Sequence, residues 1–408
     1  MSKSLFPALL GVAFFLPAVH LSAQGGQQQR VFPDGRGKEV VETLCTSCHS
    51  ARNIFNSAGY DREGWRRLFG AMVALPEAQA ELVATYLAQN FPAKPGRNPT
   101  MAAGGESVKI TEWVTPTLGQ RTRDPLEARD GSIWWTGMWA SLVGRIDTET
   151  GEMKEYLLPK TARPHGIAEG PQGNIWYTGN GNGTVGKVDP QTGAITEYET
   201  TASDPHTPIF DREGNLVFTA QRSKMVGRLN PTTGELVEVP TKGTNPYGIQ
   251  MDSQGMLWIG FNGSAMLGRL DPETMELDYY DLPDPASRVR RVALTSDDMV
   301  WFVNSALGRI GRLNPKSGEI KEWPSPSGPD SHPYAMAVVD DVIWYNESGM
   351  RPDVLVRFDP KTEKFQSFPI PSGVGIVRNM FVTKEGNLLI HQRSMNSVGL
   401  VQLRNPVF

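Results

Sequence analysis

Ile175-Trp-Tyr-Thr-Gly179, then Val185-Gly-Lys-Val-Asp189, then Ile195-Thr-Glu-Tyr198 is the stretch on which the fold turns. Its first segment recurs as Ile133-Trp-Trp-Thr-Gly137, Leu216-Val-Phe-Thr-Ala220, Leu257-Trp-Ile-Gly-Phe261, Val300-Trp-Phe-Val-Asn304, Ile343-Trp-Tyr-Asn-Glu347 and Leu388-Leu-Ile-His-Gln392. Taken in chain order, these cores are 42, 41, 41, 43, 43 and 45 residues apart. A Val-Gly-Arg-Ile-Asp-like strand follows each core up to Leu355-Val-Arg-Phe-Asp359, and a D/N-P-x-T-G-type turn leads on to an outer strand such as Ile320-Lys-Glu-Trp323. Four β-rich segments in about 42 residues are the pattern of a propeller blade, and seven copies fit a closed ring.

The two ends of the repeat array complete each other. The seventh copy stops near Leu403 without an outer strand, while Ile110-Thr-Glu-Trp113 is an outer strand with no blade of its own. Pairing the two predicts closure of the last blade by the N-terminal strand, which removes an exposed sheet edge. The repeated Trp135, Trp176, Trp258, Trp301 and Trp344 read as packing between blades.

Upstream the periodicity changes. Residues 35–91 read as a small helical unit: a helix from Lys38, a second capped by Asp61 and carrying Trp65, Leu68, Phe69 and Met72, and a third opened by Pro76-Glu77. Within it lies Cys45-Thr46-Ser47-Cys48-His49, which holds both cysteines of the chain. C-x-x-C-H is a c-type haem attachment pattern. The thiols add across the two vinyl groups, and the adjacent imidazole becomes the proximal iron ligand. A zinc site would need a second ligand pair, which is absent nearby. Met72 is the candidate sixth ligand, with Met101 or an open position as alternatives. A core this small would rely on the bound macrocycle for apolar contacts. The expected fold is therefore a small all-α cytochrome c-like domain followed by an all-β seven-bladed propeller at 108–404. The Pro- and Gly-rich segment 92–107 between them reads as a linker that leaves orientation free.

Of 408 residues, 42 are Gly and 31 Pro, and the net charge is −4 without a basic run, which argues against nucleic acid as a partner. Met1-Ser-Lys3, the apolar run Leu5 to Val19, and Leu21-Ser22-Ala23 have the pattern of a cleavable secretory signal over 1–23. Its loss would leave no transmembrane span. Export to the periplasm or beyond agrees with covalent haem and predicts an electron-transfer role, with a periplasmic redox protein or a small-molecule substrate as partner.

The blade pattern P-H-G-I, G-N-I-W-Y-T, V-G-R-I-D, T-G-x-I-T-E-Y closely resembles the streptogramin (virginiamycin B) lyase family over residues 108–404. That resemblance implies a seven-bladed propeller and, as the alternative function, metal-assisted elimination of a cyclic ester, with Mg2+ as the implied ion. The family's P-H, E-P-H-G and glutamate pattern falls by chain order on Arg290, on His332-Pro333-Tyr334 and on Ser348. Rotated around the ring, it falls on Arg163-Pro164-His165 and Asp204-Pro205-His206, with Gln221 at the glutamate position. The resemblance then implies His206 as base, His165 beside it and Asp204 as a metal ligand; Glu347 is offset by one residue. Where inner strands begin, Arg123 or Asp124, His165, His206, Tyr247, Arg290, Tyr334 and Arg378 are expected to ring one end of the channel. Such a ring suits an anionic or polar ligand.

Overall fold

The computed structural model describes residues 31–48 and 50–403; the signal stretch 1–23 and His49 lie outside them. Twenty-eight strands form seven four-stranded antiparallel sheets. Blades 1 to 6 span residues 122–157, 164–199, 205–240, 246–281, 289–324 and 333–369. Blade 7 is Met380–Val382, Leu388–Gln392 and Ser397–Gln402, with Lys109–Val114 as its outer strand. That closing strand pairs in register from Lys109 opposite Gln402 to Val114 opposite Ser397, as the orphan strand predicts.

The glycine of each Val-Gly-Arg-type strand has a steric purpose. Gly144, Gly186, Gly227 and Gly311 stand opposite Trp135, Tyr177, Phe218 and Phe302 of the preceding strand. The ring lies flat over the bare backbone, so a Cβ there would come within 2.1–2.3 Å of it. Each D/N-P-x-T-G turn closes on its own side chain: Asp147 Oδ1 accepts from the backbone N–H groups of Glu149 and Thr150, both at 3.0 Å. Trp176 and Trp301 stack on Tyr198 and Trp323 at 5.6 and 5.3 Å, which places them in packing between strands.

Four helices precede the ring: α1 (Lys38–Thr46), α2 (Arg52–Phe55), α3 (Arg62–Gly70) and α4 (Glu77–Asn90). Asp61 caps α3 by accepting from Gly64 N–H at 2.6 Å. Helix α3 ends at Gly70, so Met72 lies in the turn beyond it rather than completing its apolar stripe. Val41, Trp65, Phe69, Val83 and Leu87 form the core, and Phe32 joins it by packing on Phe55 at 4.9 Å. The unit thus begins ahead of residue 35.

The 92–107 segment is not a loose tether. Arg351 N–H donates to Arg97 O, Thr100 N–H to Ser327 Oγ, Ser367 N–H to Ala102 O, and Gln366 Nε2 to Glu106 O, at 2.7–2.9 Å. A chain rich in Pro and Gly has few internal partners for its backbone, so it takes them from blades 5 and 6. The helical unit is thereby held on the propeller face. Val374 and Met395 of the propeller join its core, and Gly119 N–H donates to Ala71 O at 3.0 Å. No helix among the described residues is long and apolar enough to cross a membrane.

Candidate functional site

Two sites meet on this face. The first is a cavity of about 280 Å³ between helices and ring, lined by Cys45, Trp65, Phe69 and Met72 on one side and by Arg351 and Arg393 on the other. Cys45 is half-buried at the end of α1, and burial pushes its thiol up to about 11. Cys48 is exposed. Met101 is exposed on the linker, so Met72 is the methionine that faces this cavity. The cavity joins one cysteine of the C-x-x-C-H motif to Met72 in a mainly apolar space; Cys48 does not line it, and His49 lies outside the described residues.

The second site is the channel mouth. In blades 1 to 6 the inner strand shifts register just after its start, for example between Pro164 and Ile167 and between Pro205 and Pro208. A buried threonine holds the bulge: Thr136, Thr178 and Thr219 donate to the carbonyls of His165, His206 and Tyr247 in the following blade, at 2.7–2.8 Å. Several side chains at these strand starts lie against one another. His165 and His206 lie 3.6 Å apart between ring centres, and His206 is 4.3 Å from Tyr247. Tyr247 and Tyr334 share a short hydroxyl hydrogen bond. Arg290 and Arg378 sit over the Tyr334 ring at 4.5 and 5.1 Å.

Burial and the surrounding arginines hold His165 and His206 well below the ordinary histidine range, so both are neutral. Thr207 Oγ1 accepts from Arg291 Nη1 at 3.1 Å and sits 2.8 Å from His206 Nδ1. With two lone pairs the hydroxyl can accept from Nδ1–H as well as from Arg291, or donate to a bare Nδ1, so either neutral tautomer of His206 satisfies this contact. Tyr247 and Tyr334 are split: burial and Tyr334 raise the first, while Arg378, Arg290 and Arg123 overcome burial and pull the second below its usual value.

The carboxylates belong elsewhere. Asp204 accepts from Arg222 N–H at 2.7 Å and from Ser223 N–H and Oγ at 3.1 and 2.8 Å, and pairs with Arg222 at 3.3 Å. Its lone pairs are spent on the turn between the second and third strands of blade 3, which leaves it poorly placed to hold a metal ion. Glu347 is buried beneath Ser325 and Ser327, from whose Oγ and N–H groups it accepts, and takes no part in the ring. No group of three His, Cys, Asp or Glu among the described residues could hold a metal ion. Mg2+ requires several oxygen donors, and Asp124, the buried carboxylate among the channel arginines, is paired with Arg291 at 3.4 Å, so the described residues there offer the ion a poor site.

Sequence reasoning missed Arg121, Arg291, Arg393 and His391. Arg121 and Arg393 stand outside the repeated core on loops; Arg291 is masked by Arg290 beside it. His391 carried a readable signal, since a histidine stands in a buried strand where other blades place Thr, Gly, Val or Asn.

The profile of the virginiamycin B lyase family matches residues 101–316 and 232–407. A streptogramin B lyase structure is 25% identical with a TM-score of 0.65, covering 73% of this chain and 98% of its own. A catalytically inactive virginiamycin B lyase from Staphylococcus aureus with quinupristin is likewise 25% identical, with a TM-score of 0.65, 73% of this chain and all of its own covered. The hydrazine synthase of Kuenenia stuttgartiensis shares the fold at 14% identity and a TM-score of 0.58, over 70% of this chain and 97% of its own. No curated protein matches the sequence. With three quarters of its length matched by the family profile and every blade in place, the chain belongs to the virginiamycin B lyase family.

Proposed function

We propose that this chain is an exported electron-transfer protein in which a haem-bearing helical unit is docked on a lyase-family propeller. The observation that carries this reading is the shared cavity: Cys45 and Met72, 27 positions apart in the chain, line one apolar space closed by propeller residues. Cys45 and Cys48 would hold the group covalently and His49 and Met72 would bind its iron, while Trp65 and Phe69, which line the same cavity, would keep water from it. Bound haem supplies one-electron chemistry, and methionine ligation favours a higher potential than a second histidine. A redox protein or a small substrate approaching the propeller face would be the partner. Production in a host that attaches c-type haem tests the reading: intact mass should rise by one haem and the gain should vanish in a Cys45→Ala, Cys48→Ala variant. A bare polypeptide mass from such a host would refute it.

Family membership itself favours a second reading, a carbon–oxygen lyase acting on a cyclic ester. His165 and His206 stacked at a channel mouth support it, whereas the commitment of Asp204 and Glu347 to their loops weighs against a Mg2+-assisted route. Linearisation of quinupristin by the purified protein, lost in His165→Ala or His206→Ala, would establish this activity.

A further inference from the structure

The channel mouth beneath the helices holds more positive charge than the described residues balance. Arg121, Arg123, Arg378 and Arg393 are close enough to repel one another, and none forms an ion pair with a carboxylate among the described residues. The nearby Asp124 is instead paired with Arg291 at 3.4 Å. Arg123 is only 2% exposed, yet its Nε and Nη1 have no hydrogen-bond partner; the buried Nε atoms of Arg121 and Arg378 also lack one. A buried, unpaired guanidinium is a costly arrangement.

Burial and neighbouring guanidinium groups push Arg121 down to about 7, Arg393 to about 8 and Arg123 to about 10. Guanidinium keeps its proton in proteins, so the strain is relieved by a counter-charge rather than by deprotonation. Tyr334, held below its usual value, offsets at most one of these charges. A small cavity of about 30 Å³ lies among Met72, Arg121, Trp139, Arg393 and Asn396, enough for a group the size of one water. It shares Met72, Trp139, Arg393 and Ser394 with the larger cavity beside Cys45.

We propose that Arg121 and Arg393, which line the small cavity, form an oxyanion-binding site, backed by the charges of Arg123 and Arg378, which do not line it. It takes one oxygen of a carboxylate, phosphate or sulfate group whose remainder stands in the larger cavity on the helical side. The oxyanion has two sources: a free small molecule, or the propionate groups of haem in the adjoining cavity. The site stands on the arginines alone, so it does not depend on the haem reading.

The test is thermal denaturation and calorimetric titration of the full chain with sulfate, phosphate and malonate, against chloride at matched ionic strength. It is run on haem-free protein and on protein from a host that attaches haem. Saturable binding to both forms assigns a free anion; binding to the haem-free form alone assigns the propionates. Losing one of these charges in Arg123→Met should weaken binding about ten- to hundredfold. Should that variant not fold, Arg393→Gln, at a less deeply buried position, serves in its place. No saturable binding, binding to the loaded form only, or unchanged affinity in the folded variant overturns the proposal.

Discussion

Replacing Arg123 by methionine should make the protein more stable, against the usual consequence of altering a buried residue. Methionine keeps the length and most of the volume of the stem while deleting a charge whose Nε and Nη1 have no partner. The free energy follows from the pull on its proton: from 12.5 down to about 10 corresponds to about 3 kcal/mol between folded and unfolded chains. The sign is set by the lower value in the folded state. The cost is fully present below about 10 and disappears only above the ordinary arginine value, so at neutral pH all of it is felt. Deleting the charge should also relieve Arg121 and Arg393, which it repels. For a ring of this size the gain corresponds to a rise of roughly 5 °C in Tm. Urea unfolding at pH 7, followed by tryptophan fluorescence, measures it in chloride buffer. In saturating sulfate the gain should shrink, because the parent then has its counter-charge. A variant less stable than the parent by about 1 kcal/mol or more in chloride would refute the reasoning, since loss of packing would then outweigh relief of charge.

Other outcomes follow from the same structure. Ultraviolet titration should find one tyrosine ionising well ahead of the rest, absent in Tyr334→Phe and retained in Tyr247→Phe, because three arginines favour the Tyr334 phenolate. Gly186→Ala places a Cβ 2.3 Å from the Tyr177 ring and should cost about 2–3 kcal/mol in urea unfolding, whereas Gly131→Ala, whose Cβ meets nothing within 4 Å, should show little beyond the penalty of its positive φ. Met72→Leu should retain covalent haem by mass yet lower its reduction potential, measured by equilibrium titration. Asp204→Asn should destabilise by about 1–3 kcal/mol in the same unfolding assay through its lost loop hydrogen bonds, with no dependence on added Mg2+.

The ring was legible because blade identity is a backbone matter repeated seven times: each Val-Gly-Arg glycine and each Asx turn writes the same constraint into the sequence. The closing strand was legible for a related reason, as a surplus at one end matched a deficit at the other. The channel residues His165, His206, Tyr247 and Tyr334 could be placed by equivalence between blades. Arg121 and Arg393 could not, since loop positions carry no repeat and their proximity arises only when blades 7 and 1 meet. Asp204 and Glu347 looked like ligands because a carboxylate's residue type does not reveal whether Ser223 or Ser327 has already claimed its lone pairs. The linker was misjudged for a similar reason: composition reports that a segment has no internal structure, not that Ser327 and Gln366 await it.

Closure by Lys109–Val114 has a bearing on how the protein matures. Its partners in blade 7 lie almost 300 positions downstream, from Lys109 to Gln402, so this is the strand pairing of greatest sequence separation among the described residues. During vectorial synthesis the helices emerge before the ring, and Ser397–Gln402 emerges after the other strands of the blades. The circle can therefore be latched only once that strand has emerged. Until then the wall that Arg393 gives the Cys45 pocket is not locked in place. On the haem reading proposed above, the order of the strands would let the group enter first and be sealed afterwards.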